Sequence, residues 1–190
     1  LKKINLKTPL AYGGGITTVD DGLKIINQGV ERIIVDNLLH SDFTVLEELS
    51  KTLGAQALIG SLPLEEINKK FFWLNYLNKK SFDFKIKDFV NMFKNILSEL
   101  IIIDWVNEGS NGNFNMNLAK FMSSLDSFSI IAFGGITNLC QMQELYSIKN
   151  LNAIAIGNSL NYKEHVVQNI KKKLSLSNIR NESYQSFFED

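Results

Sequence analysis

The stretch Ala11-Tyr12-Gly13-Gly14-Gly15-Ile16-Thr17 returns further along as Ala132-Phe133-Gly134-Gly135-Ile136-Thr137. Gly13 and Gly134 are 121 residues apart, and at the same separation Asp36-Asn37-Leu38 falls opposite Gly157-Asn158-Ser159. Two copies at a fixed offset restrict the fold to one built by repeating a single unit. Each copy is an apolar run that closes on paired glycines and then opens an amphipathic helix at Thr or Asn. Glycine lets backbone N–H groups approach an anion, and the positive end of the following helix favours negative charge. One such turn reads equally well as a tight strand-to-helix connection. Its duplication points to two phosphate sites.

Between and beyond the copies the chain alternates short apolar strands with helical patterns. Strands are expected over residues 9–15, 32–36, 55–62, 99–105, 129–133 and 153–157. Helices are expected from Thr17/Thr18 to Gly29, from Ser41-Asp42 to Gly54, and over 87–97, 118–122, 139–146 and 162–174. Pro63, unable to donate to a ladder, is read as stopping the third strand. Residues 71–84, aromatic and lysine-rich with a turn at Asn78-Lys79-Lys80-Ser81, read as an inserted β-hairpin. The polar loop over 106–113 follows the most apolar strand and is the sort of segment that carries function. Strict βα alternation with glycine turns at strand ends predicts a parallel (β/α) barrel rather than an open sheet, with sites at the C-terminal ends of the strands. Six strands are too few to close an eight-stranded barrel. The expectation is therefore a single-domain partial barrel over 1–174, with about six of eight βα units and two bare strand edges, and a polar tail over 175–190.

Composition excludes several function classes. Twenty basic residues balance twenty acidic ones in the 190-residue chain, so no electrostatic footprint for nucleic acid or an anionic membrane exists. No apolar run has the length of a membrane span, and a lone cysteine, Cys140, rules out an internal disulfide framework, which makes the cytoplasm the expected compartment. Cys140 sits on a predicted helix with no basic neighbour and reads as a buried small hydrophobe, not a nucleophile. His40 and His165, the two histidines, have no carboxylate or thiol at metal-ligand spacing. Surface positions are expected for both, and neither a metal nor a cofactor is expected.

With Gly13-Gly14-Gly15, the loop Glu108-Gly109-Ser110, Gly134-Gly135 and Gly157-Asn158 in order, the chain resembles the cyclase subunit of imidazole glycerol phosphate synthase, over nearly all of its length. The resemblance implies the last three-quarters of a duplicated (β/α)8 barrel of the histidine-biosynthesis type, beginning just before that family's third strand. The chain starts at Leu1 without an initiator Met, which fits an N-terminal truncation. In that family, ammonia from a glutaminase partner passes through the barrel and cyclises a bisphosphorylated ribulosyl carboxamide. Carried over by position, Gly14, Gly15 and Asn37 would hold one phosphate. Gly109, Ser110, Gly134, Gly135, Gly157 and Asn158 would hold the other. Arg32 and Glu99 match two members of the charged ammonia gate at the barrel floor.

The chain departs from the family at the reacting groups. One of two acid/base aspartates belongs to a strand absent here, and the other aligns with Pro63, which cannot transfer a proton. Asp36 replaces a neutral amide, and a carboxylate beside a phosphate repels it. Glu108 keeps a carboxylate where the family has Asp. These changes, with the run from Gly157 through Tyr162-Lys163-Glu164-His165, resemble a paralogous branch that delivers ammonia in surface-polysaccharide (acetamidino sugar) pathways, alongside a glutaminase and a sugar amidotransferase. Two functions follow: a lyase-type enzyme using ammonia on a phosphorylated substrate, or a noncatalytic ammonia-channelling subunit. Asp104, at a strand end, reads either as a stand-in acid or base, like Glu108, or as a strand cap bonded to loop amides. Asp36 has the same two readings and a third, pairing with a cation or a hydroxyl. Trp73 and Tyr76 read as a clamp for a ring or as core.

Overall fold

In the computed structural model, residues 8–124, 126–161, 164–174 and 179–181 are described. Strands β1 (Ala11–Gly13), β2 (Arg32–Val35), β3 (Leu58–Ile67), β4 (Lys70–Asn75), β5 (Lys80–Asp83), β6 (Glu99–Asp104), β7 (Ser129–Phe133) and β8 (Leu151–Ile154) form one sheet. Interspersed are helices α1 (Val19–Ile26), α2 (Leu38–Ser41), α3 (Phe43–Leu53), α4 (Ile86–Phe93), α5 (Met116–Met122), α6 (Leu139–Tyr146) and α7 (Val166–Leu174). The main path runs β1-β2-β3-β6-β7-β8 with every pairing parallel, a curled partial (β/α)8 barrel of six strands.

Local chemistry explains the helix starts. Thr18 accepts from the Asp21 N–H while the Asp21 carboxylate returns to the Thr18 N–H, a capping box. Asp42, Asn115 and Asn138 cap α3, α5 and α6. Along β2, β6 and β7, burial alternates strictly. One face, with Ile33, Leu58, Leu62, Leu100, Ile102, Ile130 and Ala132, packs under the helices. The other carries Arg32, Ile34, Ile101, Ile131 and Phe133 and is less covered, as the inner face of an unclosed barrel must be.

Several boundaries differ from the sequence reading. Pro63 does not stop β3, which runs on to Ile67 and pairs Pro63 with Ile103 of β6. On its other side β3 meets β2 only through Gly60 and β4 only from Leu64. Pro63 thus falls in the gap between two partners, where a missing N–H is tolerated. The extension converts the predicted hairpin into a three-stranded antiparallel flap, β3-β4-β5. Two of its aromatics close over the core: Phe71 stacks on Phe121 at 4.0 Å, and Trp73 meets Phe84 and Phe89 edge-on, while Tyr76 and Phe82 stay exposed. The first strand is confined to Ala11–Gly13, and the last is Leu151–Ile154, earlier than expected. α4 ends at Phe93, with Ile96 and Leu97 buried beyond it. α7 begins at Val166; residues 162–163, and all of the predicted tail except 179–181, lie outside the described residues.

The repeat is visible in the backbone, with a corrected offset. Gly14 and Gly15 have φ of 121° and 68°; Gly134 and Gly135 have 106° and 69°. Gly134 therefore matches Gly14, not Gly13, and the offset is 120 residues through the turn, the caps Thr18 and Asn138, and the following helices. It becomes 121 in the next strand, where Tyr12↔Ile33 answers to Ala132↔Ile154. The extra residue is taken up by a register shift between Ile130 and Ile131, a β-bulge.

Candidate functional site

At the C-terminal ends of β6, β7 and β8 a cavity of about 260 Å3 is lined by Glu108, Gly109, Ser110, Phe133, Gly134, Gly135, Ile136, Thr137, Ala155, Gly157 and Asn158. The six residues assigned from sequence to the second phosphate site all belong to it.

Asp104, the last residue of β6, anchors the loop that carries Glu108, Gly109 and Ser110 to the cavity wall. Its carboxylate is buried and accepts from the Asn107 N–H (3.3 Å), Asn107 Nδ2 (2.8 Å) and the Asn115 N–H (2.7 Å). These bonds tie both ends of the loop to the strand and commit Asp104 to capping. The loop then meets the second glycine turn: a Cβ at Gly134 would lie 2.7 Å from the Asp104 carbonyl oxygen. Thr137 Oγ1 donates to Asn111 Oδ1 at 2.7 Å, closing the loop tip over the turn. Among the described residues Ser110 Oγ is buried without a hydrogen-bond partner, 2.9 Å from where a Gly135 Cβ would be. Leaving such a group unsatisfied costs about 1–3 kcal/mol.

The first turn is different. Gly14 and Gly15 are exposed, with no atom of the described residues within 4 Å of the position a Cβ would take. Asn37 caps α2 at the end of the neighbouring strand without a side-chain bond, and its Oδ1 is buried and unpartnered. Beside it, Asp36 Oδ2 accepts from Ser61 Oγ (2.8 Å) while Oδ1 is buried with no partner. Burial raises the Asp36 carboxyl above the ordinary carboxylate range, with the Ser61 hydrogen bond acting against it. Tyr76, on the flap, is pushed up to about 12 by burial and by the negative charges of Asp36 and Glu108. Sequence reasoning did not place Ser61 or Tyr76 in this group. Only the pairing that carries β3 past Gly60, and the flap beyond it, brings them to Asp36.

At the opposite end of the strands, Arg32 Nη1 and Glu99 Oε2 form an ion pair at 2.5 Å, reaching across β3 on the inner face. Pro63 is buried on the same face. Two expectations are corrected. Cys140 is exposed, because it lies on the outer side of α6 away from Met142 and Leu145. His40 is half-buried against Trp73, ring centroids 3.9 Å apart, and burial lowers its pKa. His165 is exposed. Among the described residues no group of three His, Cys, Asp or Glu side chains could hold a metal, and no helix is long and apolar enough to cross a membrane.

Comparison with known proteins bears on the family and the fold. The chain is similar to the imidazole glycerol phosphate synthase subunit HisF of Methanococcus vannielii, 25% identical over 194 residues, covering 90% of this chain and 71% of that protein. It is similar to the same subunit from Staphylococcus saprophyticus, 26% identical and covering 90% and 69%, and from Campylobacter concisus, 24% identical and covering 94% and 72%. A family model described as histidine biosynthesis protein matches residues 2–166. With the repeated glycine turns at matching strand ends of a partial barrel, the match over most of its length shows that the chain belongs to the histidine biosynthesis protein family.

Proposed function

We propose that this protein is a cyclase-subunit-like partner of a glutaminase that binds a phosphorylated small molecule at the second glycine turn and brings ammonia to it. The observation that carries this reading is the unpartnered Ser110 hydroxyl, facing Gly135 in a cavity that also takes in Gly109, Gly134, Gly157 and Asn158. Its volume is below the roughly 300–1,000 Å3 of a drug-sized site and suits one end of a ligand. The Arg32–Glu99 pair at the far end of the strands supports ammonia entry from below, through a gate that one charged residue can open by swinging away.

A second reading, passage of ammonia to a separate sugar amidotransferase without chemistry of its own, is favoured by one observation. Pro63, which has no proton to exchange, occupies the inner face at the position the family resemblance gives to an acid/base group. The purified protein is mixed with a glutaminase of the HisF-associated type, and two rates are followed: glutamine hydrolysis, and ammonia-dependent turnover of the bisphosphorylated ribulosyl carboxamide. Turnover identifies the cyclase reaction. Stimulated glutamine hydrolysis without turnover supports channelling, and neither response sinks both readings.

A further inference from the structure

We infer that Glu66, on the part of β3 that overhangs β6, is a positioning residue for the cavity: by gripping the start of α5 it holds in place the loop that bears Glu108, Gly109 and Ser110. The consequence for ligand binding rests on the reading of that cavity as the ligand site; the grip itself does not.

The strand register puts Glu66 in position. Leu64 pairs with Asp104, the last residue of β6, so β3 runs on for three residues where β6 has stopped. Glu66 lies two residues beyond that pair, about 7 Å along the strand, and on the same face as Leu64. The chain that leaves β6 at Asp104 returns beside it at Asn115. Glu66 Oε2 accepts from Asn115 Nδ2 at 2.8 Å and from Asn117 Nδ2 at 2.9 Å. Asn115 and Asn117, and after them Lys69, hold the Glu66 carboxyl below the ordinary range, so it is ionised at neutral pH and both bonds are charge-assisted.

All four polar groups of Asn115 are engaged. Its N–H donates to Asp104 Oδ2 at 2.7 Å, its Oδ1 accepts from the Asn117 N–H at 2.9 Å, its carbonyl accepts from the Leu118 N–H at 3.1 Å, and its Nδ2 goes to Glu66. One residue thereby ties β6, α5 and the flap together at the point where the cavity loop ends. The grip comes from a fixed base. β3 is paired to β6 up to Leu64, Phe71 of the flap stacks on Phe121 of α5 at 4.0 Å, and Trp73 packs on His40 of α2 at 3.9 Å. The loop is held at its start by Asp104 and Asn107 and at its tip by Thr137 and Asn111, so Glu66 supplies the remaining hold, at its end.

Amide hydrogen exchange on the full chain, read at residues 106–115 and along β6 and β7, tests this. Glu66→Ala is expected to speed exchange in the loop about tenfold, the worth of roughly one charge-assisted bond at a water-exposed position, while the strands and the urea midpoint stay as in the wild type. Glu66→Gln, which keeps an acceptor oxygen at the same reach, is expected to restore most of the protection. A carboxylate that served only general stability would speed exchange throughout. Unchanged loop exchange in Glu66→Ala, or equal acceleration in loop and strands, overturns the inference. Titration with inorganic phosphate, followed by 31P NMR, separates the grip from the ligand reading. Where the wild type binds phosphate, Glu66→Ala should weaken it several-fold and Glu66→Gln should not, and equal affinity in Glu66→Ala and the wild type overturns the positioning role. No binding by the wild type removes the phosphate reading and leaves the exchange result to decide the grip.

Discussion

A methyl group added at Gly135 would lie 2.7 Å from the Asn107 carbonyl oxygen and 2.9 Å from Ser110 Oγ, on a backbone whose φ is 69°. Its counterpart Gly15 has the same φ within a degree, and among the described residues nothing lies within 4 Å of an added Cβ. The pair separates backbone strain from crowding. Gly15→Ala is expected to cost about 1–2 kcal/mol from the left-handed conformation alone, and Gly135→Ala about 1–3 kcal/mol more from overpacking, both read from urea unfolding. Asp36 supplies a pH signature. Its folded pKa is raised by burial, so the folded state holds its proton more tightly than the unfolded state does. Stability from this group is therefore greatest below its ordinary unfolded value and is lost as pH rises through the folded value. Asp36→Asn should gain stability relative to wild type between about pH 4 and pH 7, measured by thermal unfolding at both; an unchanged difference would remove Asp36 as a buried acid.

At the scale of elements, the loop after β6 owes its position to one carboxylate. Asp104→Ala removes three hydrogen bonds at once, two of them to main-chain N–H groups. The expected loss is about 3 kcal/mol, with faster amide exchange confined to residues 106–115, and Asp104→Asn should retain part of the protection through its remaining acceptor. That Asp104 ends a strand was legible in the sequence, since the run from Glu99 is the most apolar in the chain. That it caps a loop instead of facing a substrate depends on α5 starting beside it. The same limit applies to β3: Pro63 looks like a terminator in one dimension, and only the places where β2 leaves and β4 arrives show that a strand can run through it. Helix starts fared better, because Thr18, Asp42 and Asn138 cap through contacts only three residues long.

For the whole molecule, the six-stranded path ends at β1 and β8, each with one side unpaired among the described residues. Ala11–Gly13 is exposed throughout, and the chain has no net charge to keep copies apart. The 190-residue chain is expected to self-associate between about 1 and 100 μM in sedimentation velocity, and Tyr12→Lys on the edge strand to reduce this. A monomer across the range would show that the edges are protected. The amino-acid sequence by itself determined the βα alternation and the duplicated glycine turns, because period, caps and glycine backbone are local properties; the residues expected around the second turn came from the family resemblance. The tertiary structure decided what those residues can do. Which loop Asp104 caps, and whether Asp36 meets a donor or a cation, depend on strands and loops distant in sequence, whose meeting no local pattern records.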